Sequence, residues 1–279
     1  MISVVIPTYN REKTILESVR SVLEQTWEDL ELIVVDDAST DHTESMIRKV
    51  NDPRVKYIRQ PYNQGACAAR NRGIEAAQGE YIAFQDSDDL WHKDKLEKQM
   101  NFMKLQSADM VYCGMNRSVN GRKMYFPSDQ KNGEKLTVEK LLKKNKISTQ
   151  TILVKQSTAK SIMFDPGFKR LQDWDFSLRV LTAGFHVEYL GEALVDARVQ
   201  GDSITSIVSS EKAYLNFAQK HHDLYQKYPK ALGGLYVTLA YCVKNSNRKS
   251  AQEYLFKSLN KKFDMKTLVK ILFNVLRIW

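Results

Sequence analysis

Ile2 to Ile6 is a continuous apolar run, the pattern of a strand buried on both faces. After a turn at Pro7 to Asn10, apolar residues recur at Ile15, Leu16, Val19, Val22 and Leu23, which is helical spacing. The alternation then repeats. Leu30 to Val35, Val55 to Ile58, Tyr81 to Phe84 and Met110 to Cys113 read as strands. Thr43 to Val50, the small-residue stretch Ala66 to Ala77, and Lys93 to Leu105 read as helices. Strands alternating with helices predict an α/β fold with a parallel, doubly wound sheet. Polar residues gather where these strands end, the edge at which open α/β sheets bind ligands.

The pattern changes after residue 115. Asn116 to Lys146 is basic and broken by glycines. Ile152 to Val154 and Leu190 to Val199 have strand character, and Asp173 to Ala183 is helical. From Glu211 onward the pattern is wholly helical, with Lys and Arg dense among apolar residues. The expected division is an α/β body over 1–208, in halves 1–115 and 116–208, followed by a helical, basic region over 209–279.

A chain of 279 residues, 43% apolar and 27% charged, can bury one large core or one core with an appendage. Its net charge of +9 favours polyanionic partners: nucleic acid, an anionic membrane surface or phosphorylated substrates. Cys67, Cys113 and Cys242 offer neither a disulfide framework nor zinc-ligand spacing. The opening residues lack a basic n-region, and no run of some 20 apolar residues suggests a membrane span. A cytoplasmic protein is expected.

The chemistry concentrates in four places. Asp36 and Asp37 end the second strand, where carboxylates suit ribose hydroxyls or a base N–H, and equally suit a turn. Asn63-Gln64-Gly65-Ala66 opens a helix whose N–H groups can approach a phosphate, or whose small residues pack on the sheet. Arg70 and Arg72 follow within it, for phosphate or for solvent. Asp86, Ser87, Asp88 and Asp89 come directly after the fourth strand; three crowded carboxylates repel, and a hard divalent cation, Mg²⁺ or Mn²⁺, removes the conflict. Gln172-Asp173-Trp174-Asp175 opens a later helix, where an acid serves as a cap or as a general base, and Trp174 serves sugar stacking or core packing.

These motifs resemble family 2 glycosyltransferases of the GT-A fold. Val4-Val5-Ile6-Pro7-Thr8-Tyr9-Asn10-Arg11 is similar to their opening strand, and Val34-Val35-Asp36-Asp37-Ala38-Ser39-Thr40-Asp41 to their second strand and turn. Asn63-Gln64-Gly65 with Ala69-Arg70-Asn71-Arg72-Gly73 resembles their third helix, and Asp86-Ser87-Asp88-Asp89 their DxD element. Gln172-Asp173 is similar to their ED motif, with Gln where Glu is usual. The resemblance implies a Rossmann-like, mostly parallel GT-A body, 1–115 binding nucleotide and 116–208 the acceptor. It places Pro7, Thr8, Tyr9 and Asp37 at the base, Gly65, Arg70, Asp86 and Ser87 near ribose and phosphates, and Asp88 on Mn²⁺ or Mg²⁺. Asp173 would be the base in an inverting displacement, with Asp89, Gln172 and Trp174 beside sugar or acceptor. Arg198 to Ser203 resembles a later segment that often carries His at the place of Gln200, and no processive Gln-x-x-Arg-Trp signature occurs. The implied partners are a nucleotide-sugar donor, most naturally UDP-linked, and a glycan or lipid-linked acceptor of cell-surface polysaccharide synthesis.

Two other classes fit less of the pattern. A nucleotidyltransferase would show a Gly-rich basic loop where Pro7-Thr8-Tyr9-Asn10 stands. A nucleic-acid-binding module would use the net charge, but its aromatic signatures are missing, so no nucleic acid is expected. Lys and Arg interleaved with apolar residues over 244–279 suit a helix lying on the anionic inner face of a membrane, and equally one packed on the catalytic domain or in a homodimer contact.

Overall fold

The computed structural model describes residues 1–119, 122–198 and 210–261. They fall into two compact units. One holds Met1–Leu136 and the chain from Lys146 as far as Arg198; the other holds Thr137–Asn145 and residues 210–261. The division read near 208 lies outside the described residues, and the linear reading does not anticipate the excursion of 137–145 into the second unit.

The first unit opens with β1 (Ile2–Thr8), α1 (Ile15–Leu23), β2 (Leu30–Asp36), α2 (Thr43–Arg48), β3 (Val55–Arg59), α3 (Ala66–Ala76) and β4 (Tyr81–Phe84). It continues through β5 (Leu90–Trp91), α4 (Lys95–Gln106), β6 (Met110–Val119) and β7 (Arg122–Phe126). A 3-10 turn at Thr149–Thr151 leads to β8 (Ile152–Lys155), α6 (Gln156–Ile162), α7 (Gln172–Thr182) and β9 (Val187–Ala197). The second unit contains α5 (Val138–Lys143), α8 (Ser210–Lys220), α9 (His222–Lys227), α10 (Pro229–Val243) and α11 (Arg248–Lys261).

Every residue of β1 and of β2 is buried, because helices cover both faces of the sheet. Ile2, Val4 and Ile6 join Ile15, Val19 and Val22 of α1 and Leu96, Met100 and Met103 of α4 in one core. On the other face α3 closes onto Val5, where a Cβ at Gly73 would lie 2.3 Å from a Val5 methyl. Phe84 meets Phe164 and Phe176 edge-on below α7, with the last two rings stacked at 4.4 Å.

The sheet order is β3-β2-β1-β4-β8-β6-β9-β5, with β7 paired to β6. From β3 to β4 all neighbours are parallel, as the sequence pattern predicts. Beyond β4 the antiparallel strand β8 brings β6, and β9 beside it, back into the direction of β4, so the expectation of a mostly parallel sheet holds. The result is a mixed, mostly parallel α/β sheet. Its parallel part delivers the ends of β1, β2 and β4 to one edge, which positions the site.

Candidate active site

The ends of β1 and β2 are laced together before any ligand arrives. Asp37 N donates to Thr8 O at 2.8 Å, Asn10 N to Ser39 Oγ at 2.9 Å, and Arg11 N to Thr43 Oγ1 at 2.8 Å. Asn10 and Ala38 take positive φ values of 51° and 63°, so both turns are fixed by this lacing rather than by glycine. Pro7 and Thr8 are buried, Thr8 Oγ1 has no hydrogen-bond partner among the described residues, and the Tyr9 ring stands out at 42% exposure.

Asp37 is buried and fully engaged. Its Oδ1 accepts from Gln60 Nε2 at 2.6 Å and Gln64 N at 2.7 Å, and its Oδ2 accepts from Gly65 N at 2.7 Å. The carboxylate therefore shapes the loop that starts α3. Gly65 is required by its φ of 89°, not by space, since nothing lies within 4 Å of where its Cβ would be. Close packing on the sheet is the work of Gly73.

Arg70 is the hub of the site. It is buried on α3; its Nη2 donates to Asp86 Oδ1 at 2.8 Å and its Nη1 to Gln172 Oε1 at 2.6 Å. One guanidinium thus joins the acidic loop after β4 to the first turn of α7. Gln172 fits because it is an amide: its Oε1 accepts from Arg70 while its Nε2 donates to Phe168 O at 3.0 Å. The segment ahead of α7 is pinned to α3 by Asn71, whose side chain pairs with both Phe164 N at 2.7 Å and Phe164 O at 2.8 Å. Leu171, at φ 61°, turns the chain into α7, and Asp173 Oδ1 accepts from Trp174 N at 2.8 Å.

The acids of the β4 loop diverge. The side chains of Asp86 and Asp88 are 30% and 20% exposed, and Arg11 Nε lies 3.7 Å from Asp88 Oδ2. Ser87 is buried. Asp89 is 3% exposed and turned inward, its oxygens accepting from Gln150 Nε2 at 2.7 Å and Arg198 N at 2.8 Å. Burial, then the charges of Asp86 and Asp88, hold its carboxyl well above the usual carboxylate range. Trp174 is likewise buried, at 3% exposure, rather than presenting an open face. The expected contacts of Asp89 and Trp174 with sugar or acceptor are thus not open surfaces in this structure.

Gln60 and Gln150 belong to the site although nothing in their sequence surroundings marks them, and Asn71 lies in a marked segment without being singled out; each acts through a contact distant in the chain. Gln200 lies outside the described residues. Among the described residues no group of three or more His, Cys, Asp or Glu is arranged to hold a metal ion. A divalent cation needs no such cage where one or two carboxylates share it with substrate phosphates and water. The partly exposed, hard oxygens of Asp86 and Asp88 fit that arrangement.

Comparison with known proteins identifies the family. Residues 3–166 match the family model described as glycosyl transferase family 2. The chain is 35% identical over 210 residues to the putative teichuronic acid biosynthesis glycosyltransferase TuaG of Bacillus subtilis, covering 74% of this chain and 82% of that one. It is 35% identical over 185 residues, 65% of this chain and 70% of the other, to WfgD of Escherichia coli, a UDP-Glc:alpha-D-GlcNAc-diphosphoundecaprenol beta-1,3-glucosyltransferase. In three dimensions it resembles the mannosyltransferase PcManGT of Pyrobaculum calidifontis, solved with GDP-Man and Mn²⁺. The TM-score is 0.68 at 17% identity, over 99% of this chain and 79% of that one. With the family matched across most of the first unit and the motifs gathered at one sheet edge, the chain belongs to glycosyl transferase family 2 and is a glycosyltransferase.

Proposed function

We propose that this glycosyltransferase moves one sugar, with inversion, from a UDP-sugar to a hydroxyl of a lipid-diphosphate-linked glycan during bacterial cell-surface polysaccharide synthesis. The observation that carries the reading is the Arg70 bridge, which couples Asp86 at 2.8 Å to Gln172 at 2.6 Å and so ties the acidic loop to the helix bearing Asp173. The named substrates of WfgD supply the donor and acceptor classes, and the surface-polymer role of TuaG supplies the setting.

In this reading Pro7, Thr8 and Tyr9 line the base, Tyr9 with its exposed ring. Asp37 holds the loop of Gln64 and Gly65 that flanks the nucleotide. Asp86 and Ser87 face the ribose and phosphates, Arg70 holding Asp86 in place. Asp88 is the residue that would hold Mn²⁺ or Mg²⁺; bound there, the ion neutralises charge on the leaving diphosphate. Asp173 removes the proton from the acceptor hydroxyl, the oxygen bonds to the anomeric carbon, and the bond from that carbon to the diphosphate oxygen breaks, releasing UDP.

The test is sugar transfer from radiolabelled UDP-sugars to a diphosphate-linked GlcNAc acceptor, with Asp173→Asn as the control. The variant is expected to lose at least ~10²-fold in kcat while UDP affinity stays unchanged. Parallel loss of UDP binding and activity would make Asp173 structural and remove the base from this mechanism.

A further inference from the structure

Arg117 has no part in the site as described, yet it lies against it. By strand alternation it shares a face of β6 with Met115, whose sulfur is 3.6 Å from Gln150 Nε2, the nitrogen that also donates to Asp89. Its neighbour across β9 is Ala197, next to Arg198, whose N–H holds the other oxygen of Asp89. The guanidinium Cζ lies over the Phe126 ring, 4.1 Å from its centroid.

This cation is largely buried. Burial lowers its pKa, and the charges acting on it are those of Asp173 first and Asp89 second. Among the described residues, however, no carboxylate forms a salt bridge with it. A desolvated guanidinium is costly unless an anion meets it, and its planar fork matches phosphate oxygens in two directions at once. The contact with Phe126 restrains that fork in advance.

We propose that Arg117 forms a subsite for the diphosphate of the acceptor, seating it so that the acceptor hydroxyl reaches Asp173. The proposal rests on the glycosyltransferase reading above and adds the group that recognises the acceptor. The donor diphosphate is the other source of the same chemistry, and the UDP affinity of the Arg117 variants distinguishes the two.

The experiment compares wild type, Arg117→Met and Arg117→Lys on two acceptors: GlcNAc-diphosphate with a short alkyl tail, and an alkyl GlcNAc glycoside without phosphate. Binding of each acceptor is measured by calorimetry at saturating UDP, alongside KM and kcat. Arg117→Met is expected to weaken binding of the diphosphate acceptor by roughly 10²-fold, typical of removing one partner of a buried charged pair. Binding of the glycoside and of UDP should hold, and Arg117→Lys should recover part of the loss. Equal losses on both acceptors, a fall in UDP affinity, or no binding of the diphosphate acceptor by wild type would each overturn the subsite. Binding that depends on Arg117 without any transfer by wild type would uphold the subsite and refute the proposed reaction.

Discussion

Asp86, Ser87, Asp88 and Asp89 occupy consecutive positions and meet different surroundings: the Arg70 guanidinium, the interior, the Arg11 guanidinium, and the paired donors Gln150 and Arg198. The crowding of the three acids is legible in the sequence, because no turn needs so many carboxylates. Their division of labour is not, because it depends on Arg70, Gln150 and Arg198, which come from α3, the turn before β8 and the end of β9. Gln172 makes the same point. It reads as a departure from an acidic motif, and only the donation of its Nε2 to Phe168 O at 3.0 Å shows why an amide suits the place. Asp88 should be where substitution acts on the metal alone. In Asp88→Asn the fold should keep its melting temperature without ligands, while the extra stabilisation that Mn²⁺ gives the UDP complex disappears along with turnover. For wild type that ligand term is about 2.7 kcal/mol at a hundredfold excess over Kd. An Mn²⁺-dependent shift equal to wild type would assign the metal to other residues.

At the scale of elements, burial is what the apolar pattern reports, and strand direction is not. Both kinds of strand in this sheet are equally apolar, so the parallel run β3-β2-β1-β4 and the reversal at β8 look alike in sequence. Two-residue β5 and the β6–β7 hairpin are too short or too polar to announce themselves. The α3–β1 contact is sharper. A methyl at Gly73 would meet Val5 at 2.3 Å and 2.9 Å, so Gly73→Ala must push the helix off the strand. The expected cost is about 1–3 kcal/mol from overpacking, read by urea denaturation, with donor affinity falling as Arg70 shifts. On α4, Lys95 is wholly buried, its Nζ 2.6 Å from Gln99 Oε1 and 3.8 Å from the centre of the Trp91 ring. Burial lowers its pKa to about 8 from 10.5. The unfolded chain therefore binds the extra proton between those values, and stability should rise with pH from about 8 to about 10.5. Below the folded pKa the full cost is present, of order 3 kcal/mol from the shift alone. Lys95→Met should lack this rise; a slope matching wild type over that window would show that Lys95 stays charged in the fold.

The whole molecule carries a net charge of +9, and its second unit shows where part of that charge meets apolar surface. On α11, Arg248, Lys249, Lys257 and Lys261 are exposed around Phe256, itself 50% exposed. On α10 the Lys244 ammonium lies 5.2 Å from the ring centre of Tyr241, which is also exposed. The apolar positions of this unit that can pack internally do so: Ala240, Val243, Ala251 and Leu255 form a core of their own. Phe256 and Tyr241 remain outside it, flanked by cations. No helix among the described residues is long and apolar enough to cross a membrane, and the apolar stretch over 262–279 lies outside them. Cations around protruding aromatic rings suit the headgroup layer of an anionic leaflet, where each basic residue contributes about 1 kcal/mol and the rings add apolar burial. An enzyme using a lipid-linked acceptor gains from such attachment, because it meets that acceptor only at the surface. The expected outcome is that the full chain co-sediments with vesicles containing anionic lipid, releases as salt rises, and ignores neutral vesicles. Lys249→Glu with Lys257→Glu should weaken that binding by roughly two residues' worth or more, without altering activity on a water-soluble acceptor. Binding that neutral vesicles match, or that salt leaves unchanged, would assign these exposed rings to a contact with another protein instead.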